Sequence, residues 1–353
     1  MDKPKIRSGS DFRTGFDDKL DPLEPLDILG CKDFDEMLQA MCKTAFGGRK
    51  LGEAADVLFE MVTDPQCTVV ATISGAMTVA KLSLLVCEMI DRGMVNAIIA
   101  TGALISHGIV ESVGATHFKY KEGMEDPALF KCGYARVYDT LELERNLLDM
   151  EETMMKILNT LPRDTVLSSR SINTLIGEYL TNHIEGRGIL KSAYQNNVPI
   201  YIPAYTDSVL GMYLALFNAN VKRNGEDTLA FDPFIDLAEF TDLVQQSRKV
   251  GIFTVGGGVP RNWGQQVGPY LELLQQKKHY DSGFKRYSYG VRLCPEPIEW
   301  GGLSGCTYSE GVSWGKFVPP EEGGKWAEVP VDATIAWPIL LKAVIERIEK
   351  KKK

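Results

Sequence analysis

The 353-residue chain has no Cys-x-x-Cys pair among its seven cysteines, Cys31, Cys42, Cys67, Cys87, Cys132, Cys294 and Cys306. An odd, scattered set excludes a zinc ribbon or a redox dithiol and points to reduced thiols in the cytoplasm. No apolar run reaches the roughly 18 residues of a membrane span, and the charged N-terminus has no apolar stretch of a secretory signal. Histidine is scarce. His107, His117, His183 and His279 show neither His-Glu-x-x-His nor a Cys/His grouping, so no metal site is expected. A Gly-x-Ser-x-Gly elbow, a P-loop and a Gly-x-Gly-x-x-Gly fingerprint are all missing. Positive charge is in deficit, 39 Lys and Arg against 47 Asp and Glu, a net charge of −8. A general nucleic-acid binder would be basic. The acidity fits a cationic substrate and equally fits plain solubility.

What is present is a repeated alternation. A short β-rich run leads into a small-residue loop and then a helix. Cys67–Ile73 runs into Ser74-Gly-Ala-Met77, Val95–Ala100 into Thr101-Gly-Ala103, Val198–Pro203 into Tyr205-Thr-Asp-Ser208, and Val250–Val255 into Gly256-Gly-Gly258. The runs are apolar on both faces, as a parallel sheet covered on both sides requires. The expected fold is α/β, Rossmann-like and doubly wound, with helices on both faces of a mostly parallel sheet. Residues 1–30 read as an N-terminal arm and 31–353 as one α/β domain with a helical insertion at about 141–192. Helical spacing marks Asp33–Phe46, Glu53–Met61 and a last helix from Thr334 to Glu349; after about Arg292 the chain reads as loop until Val329.

In such sheets ligands bind beyond the carboxyl ends of the strands. Those ends are small or hydroxyl-bearing here, apart from Met77 and Asp207, and suit a dinucleotide on helix N-termini. Ordinary tight turns would look the same. A second segment, Trp300 to Lys316, carries two Trp, Glu310, and glycines at 301, 302, 305, 311 and 315. Tryptophan offers an apolar wall and a π face for a cation. A lysine against that wall can lose its charge and form an imine, although most lysines are simply solvated. His107 follows a strand-end loop, where it either meets a ligand or is a partly buried helix residue.

Ser313-Trp314-Gly315-Lys316, followed by Val331-Asp332-Ala333 and a closing apolar helix, resembles deoxyhypusine synthase. The resemblance runs from about Asp56 to Ile348 and takes in Gly93-Met-Val95, Thr206-Asp207 and Gly256-Gly-Gly-Val259. It implies Rossmann-like subunits in a homotetramer with interface active sites. NAD would oxidise the secondary amine of spermidine, 1,3-diaminopropane would leave, and a lysine would catch the aminobutyl imine. An acceptor, a protein lysine or a small amine such as putrescine, would then receive the group. Carried over by position, Lys316 resembles the imine-forming lysine, and Glu310 and Trp314 the residues around the polyamine. Gly75, Ala76, Met77, Thr78, Val79, Thr101, Gly102, Ala103, Asp207, Gly257, Asp332 and Ala333 fall where the family holds NAD. Gly301, Gly302, Leu303, Asn262 and Ser313 are candidate substrate contacts, and His107 a candidate catalytic group.

The departures bear on the substrate. Ala76 stands where the family has Asn, Asn262 where it has a histidine, Met212 and Leu303 where it has Asp, and His107 at an acidic position. Three carboxylates that would clamp a polycation are missing, so either spermidine binds in another pose or the substrate carries less positive charge. Two rivals follow: the same fold and cofactor with another amine, or a non-catalytic protein that binds NAD or a polyamine.

Overall fold

The computed structural model describes residues 6–277 and 284–352; His279 lies outside them. Six strands form the central sheet: β1 (Cys67–Ile73), β2 (Ala97–Ala100), β3 (Ile200–Tyr201), β4 (Lys249–Val255), β5 (Tyr287–Leu293) and β6 (Lys325–Val329). Their spatial order is β6-β5-β4-β1-β2-β3, and every pairing is parallel. Read from the other edge this is the 3-2-1-4-5-6 order of a doubly wound dinucleotide fold, with its switch point between β1 and β4.

Alternate residues of each strand feed two cores. Val69, Ala71 and Ile73 with Ile98 and Ala100 face a larger core closed by Leu104, Leu210 and Trp337. Val70, Ala97, Ile99 and Ile252 face a second core with Phe240, Tyr287, Tyr308 and Phe317. Each fully buried isoleucine contributes about 1.5–3 kcal/mol, and truncating one to alanine would cost about 2–5 kcal/mol. A buried polar pair inside the sheet is satisfied across β1 and β4, where Thr72 and Thr254 hydroxyls meet at 2.9 Å.

Chain direction reverses where polar residues follow the strands. Thr101 accepts from Leu104 N and starts the helix Gly102–Ser112, and Ser208 accepts from Gly211 N and starts Val209–Arg223. The insertion holds three helices, Glu144–Asn159, Ser169–His183 and Ile189–Gln195. A small antiparallel sheet of Phe118–Lys119, Tyr134–Val137 and Thr140–Leu143 precedes them.

Some boundaries differ from the sequence expectation. The helix expected over Glu53–Met61 runs from Phe46 to Thr63. The stretch read as loop after Arg292 contains the end of β5 and all of β6. Charge hid both strands: Arg292 within β5 is buried but pairs with Glu328 of β6 at 2.7 Å. No helix among the described residues is long and apolar enough to cross a membrane.

Candidate active site

Lys316 owes its position to a tight reversal. Thr307 accepts from Glu310 N and starts the one-turn helix Tyr308–Ser313. Gly315 then takes φ +68°, a left-handed conformation that glycine tolerates. The reversal leaves Trp314 62% exposed and turns Lys316 inward, 7% exposed. The Lys316 backbone is pinned on both sides: its N–H donates to Gly311 O at 3.0 Å and its carbonyl accepts from Tyr287 N at 2.9 Å. Nζ reaches Asn262 Oδ1 at 3.4 Å and lies 5.7 Å from the centroid of the Trp314 ring.

The amine lines a cavity of about 350 Å³, with Asn262, Gly301, Gly302, Leu303, Glu310 and Trp314. The fold thus assembles these seven positions from two distant stretches. Burial pushes the Lys316 ammonium below the ordinary lysine range, and the Arg261 charge pushes the same way; Cys306 and Glu310 oppose them. Ser313, by contrast, spends its hydroxyl on Glu310 O at 2.7 Å.

Arg261, Gln265, Gln266 and Cys306 also line this cavity, and the sequence reading did not single them out. Arg261 sits three residues past the Gly-rich turn that was noticed. Its guanidinium binds Leu303 O at 3.0 Å and Cys306 O at 2.6 Å and lies over the Tyr308 ring.

A second crevice opens at the β1–β4 switch point. Ser74, Thr101, Gly102, Asp207 and Gly258 line it, in about 170 Å³. Its walls are tied together: Thr101 Oγ1 donates to Gly75 O at 2.7 Å, and Ser74 Oγ donates to Gly257 O. A Cβ on Gly102 would lie 2.1 Å from Ser208 Cβ, so only glycine allows the β2 and β3 loops to meet. Asp207 is exposed at the rim, and Ala76, Met77 and Ala103 are half-buried nearby in sequence. Thr78 and Val79 are buried, and Thr78 Oγ1 is consumed by Leu104 O at 3.0 Å. Asp332 caps the helix Ala333–Lys351 beyond the edge strand β6, so neither it nor Ala333 lines the crevice of its own chain. The helix Gly258–Gln265 joins the two cavities, with Pro260 lining the crevice and Arg261 the lysine cavity.

His107 is not with Lys316. Its helix packs on the larger core, whereas Phe317 beside Lys316 belongs to the second core, on the other face of the sheet. Instead His107, His117 and Glu142 converge, with potential ligand atoms within 4.8 Å of one another. The spacing of the histidines gave no sign of this grouping, because the fold supplies the carboxylate. One Glu142 oxygen accepts from His107 Nδ1 at 2.9 Å and from His117 Nε2 at 2.5 Å. Lys81 Nζ lies 2.9 Å from His117 Nδ1. An ammonium only donates, so Nδ1 accepts and Nε2 carries the proton given to Glu142. Burial opposes ionisation of Glu142, but hydrogen bonds from His107, His117 and Asn146 prevail and hold it far below the usual carboxylate range.

A family model for deoxyhypusine synthase matches residues 36–344. A protein of Methanosarcina acetivorans named probable deoxyhypusine synthase 2 is 34% identical over 327 residues, 92% of this chain and 90% of that one. A protein of the same name from Archaeoglobus fulgidus is 34% identical over 305 residues, covering 86% and 96%. A deoxyhypusine synthase-like protein of Chlorobaculum parvum is 30% identical over 321 residues, covering 90% and 88%. The fold is shared with an Entamoeba histolytica crystal structure named for a deoxyhypusine synthase: TM-score 0.59 and 14% identity, over 92% of this chain and 97% of that one. With the family model spanning most of the chain, this protein belongs to the deoxyhypusine synthase family of transferases.

Proposed function

We propose that the protein is an NAD-dependent transferase that takes an aminobutyl group from a spermidine-like polyamine onto Lys316 and passes it to a second amine. It would work in the cytoplasm as a homotetramer, with one α/β unit and an N-terminal arm per chain. The observation that carries the reading is the buried Lys316 amine, depressed by desolvation and aimed into a cavity where Glu310 is the one lining carboxylate among the described residues.

The β1–β4 crevice fits a dinucleotide. Its glycines at 75, 256 and 258 take φ of +71°, +77° and +62°, and it is lined at Gly102 by the first residue of an 11-residue helix. Ser74, Thr101, Gly102, Asp207 and Gly258 would hold it. When bound, NAD supplies the hydride acceptor that turns a secondary amine into an imine, and returns the hydride after transfer.

The chain's own groups do the rest. Trp314 presents its ring to a cationic methylene chain, and Glu310 supplies the opposing charge. Lys316 attacks the imine carbon as the free amine, a form that burial favours. Asn262 accepts from Nζ and fixes its direction without adding charge that would hold the proton on.

Borohydride trapping tests this. The protein with NAD and labelled spermidine, reduced and mapped by peptide mass, should carry an aminobutyl adduct on Lys316. NAD binding without an adduct would remove spermidine as the donor.

A further inference from the structure

We infer that His107, His117 and Glu142 form a binding site for a divalent transition-metal ion of the zinc or ferrous type. The site lies on the face of the sheet away from Lys316, so it stands or falls independently of the imine chemistry.

Three atoms turn to a single point. His107 Nδ1 lies 2.9 Å from Glu142 Oε2 and 3.2 Å from His117 Nε2, and His117 Nε2 lies 2.5 Å from the same oxygen. An ion that holds nitrogen and oxygen at about 2.1 Å sets its ligands about 2.9–3.4 Å apart, from right-angled to tetrahedral. Two of the three edges fall in that range, and only the His117–Glu142 edge has to open. Hydrogen bonds account for part of this triangle. Each imidazole gives a proton to Glu142, which leaves two like N–H groups 3.2 Å apart with no attraction between them. An ion in place of the two protons draws all three atoms.

The carboxylate is held as a metal ligand is held. Glu142 Oε1 accepts from Leu143 N at 2.9 Å and from Asn146 Nδ2 at 2.8 Å, so Oε2 is the oxygen left for the imidazoles. Asn146 Nδ2 also reaches Thr116 O at 3.3 Å, beside His117. One amide thus orients both ligands, as outer-sphere groups of metal sites do. Two imidazoles and one carboxylate suit zinc or ferrous iron, whereas magnesium and calcium take oxygen. Three protein ligands leave the ion a position for water. That position lies on the side of His107, whose side chain is 16% exposed against 1% for the other two.

Lys81 brings a competing charge. Its Nζ sits 2.9 Å from His117 Nδ1 and 2.7 Å from Glu111 Oε1. Once Nε2 binds the ion, Nδ1 carries the ring proton and no longer accepts from an ammonium. Lys81 must then turn outward, towards the solvent that already reaches 46% of its side chain.

The untagged full chain, stripped by a chelator, is titrated with Co²⁺, whose visible bands report its ligands, and with Zn²⁺ by calorimetry. Wild type should bind Co²⁺ with bands stronger than those of the hydrated ion, and Zn²⁺ should displace it. His107→Ala should weaken binding by more than the roughly 10–100-fold of an outer-sphere change. Lys81→Met removes the repelling charge without touching a ligand and should bind the ion more tightly than wild type. A folded His107→Ala that binds as well as wild type would overturn the site, as would a wild-type Co²⁺ spectrum identical to that of the hydrated ion. If His107→Ala does not fold, Lys81→Met decides: tighter binding supports the site, and binding no tighter overturns it.

Discussion

Lys316 Nζ meets Asn262 through an amide oxygen, at 3.4 Å, where an ion pair would have been possible. The neutral partner matters because a carboxylate would hold the proton on the amine. Asn262→Asp should raise the Lys316 pKa and shift the pH at which trapping reaches half its maximum upward. Asn262→Ala should leave that midpoint at or below the wild-type value. Adduct yield measured across pH decides between them.

Lys316→Met should abolish transfer, by a factor on the order of 10⁴ or more if the lysine is the covalent carrier. It should also stabilise the fold at neutral pH. A lowered lysine pKa means that the folded state disfavours the charged form. The cost is fully present below the folded pKa and vanishes as pH rises towards the unfolded value. The melting-temperature gain of the variant should therefore shrink between neutral pH and about pH 10.5.

The pH response of Glu142 has the opposite sign. Its folded pKa is depressed, so its stabilisation is present above the unfolded pKa of about 4.3 and lost as pH falls below it. Glu142→Ala removes the shared acceptor of two imidazoles at a position 1% exposed. It should cost about 3–5 kcal/mol at pH 7. Urea unfolding at pH 7 and pH 3.5 should show the gap to wild type narrowing in acid.

Gly102→Ala should drive a methyl group into Ser208 and spread the β2 and β3 loops. A loss of about 1–3 kcal/mol is expected, together with weaker NAD binding by calorimetry. Retained binding would mean that the dinucleotide does not use this crevice.

Much of the fold could be read from the chain because Val69, Ile73, Ile98 and Ile252 fill both faces of buried parallel strands, which leaves an unbroken apolar run. β5 and β6 escaped for the complementary reason. Arg292 and Glu328 are polar in the sequence and neutralise each other only once the strands pair. The lysine end of the site was legible through the family resemblance carried by Ser313-Trp314-Gly315-Lys316, since the glycine and tryptophan pattern alone fits a solvated lysine as well. Arg261 and Gln265 were not, since a long polar residue in a helix looks solvated until its neighbours are known. The Glu142 cluster joins a helix, a loop and a strand, and no local spacing announces it.

Strand β5 is hydrogen-bonded at both ends to segments that line the lysine cavity. At its start, Tyr287 exchanges backbone hydrogen bonds with Lys316 and Val318; near its end, Arg292 holds the carbonyls of Ser304 and Cys306. Five residues of strand span roughly 17 Å. One rigid rod thus carries both jaws of the cavity, the nucleophile on one and the loop facing it on the other. The separation between the nucleophile and the loop facing it is therefore set by the pitch of a β-strand.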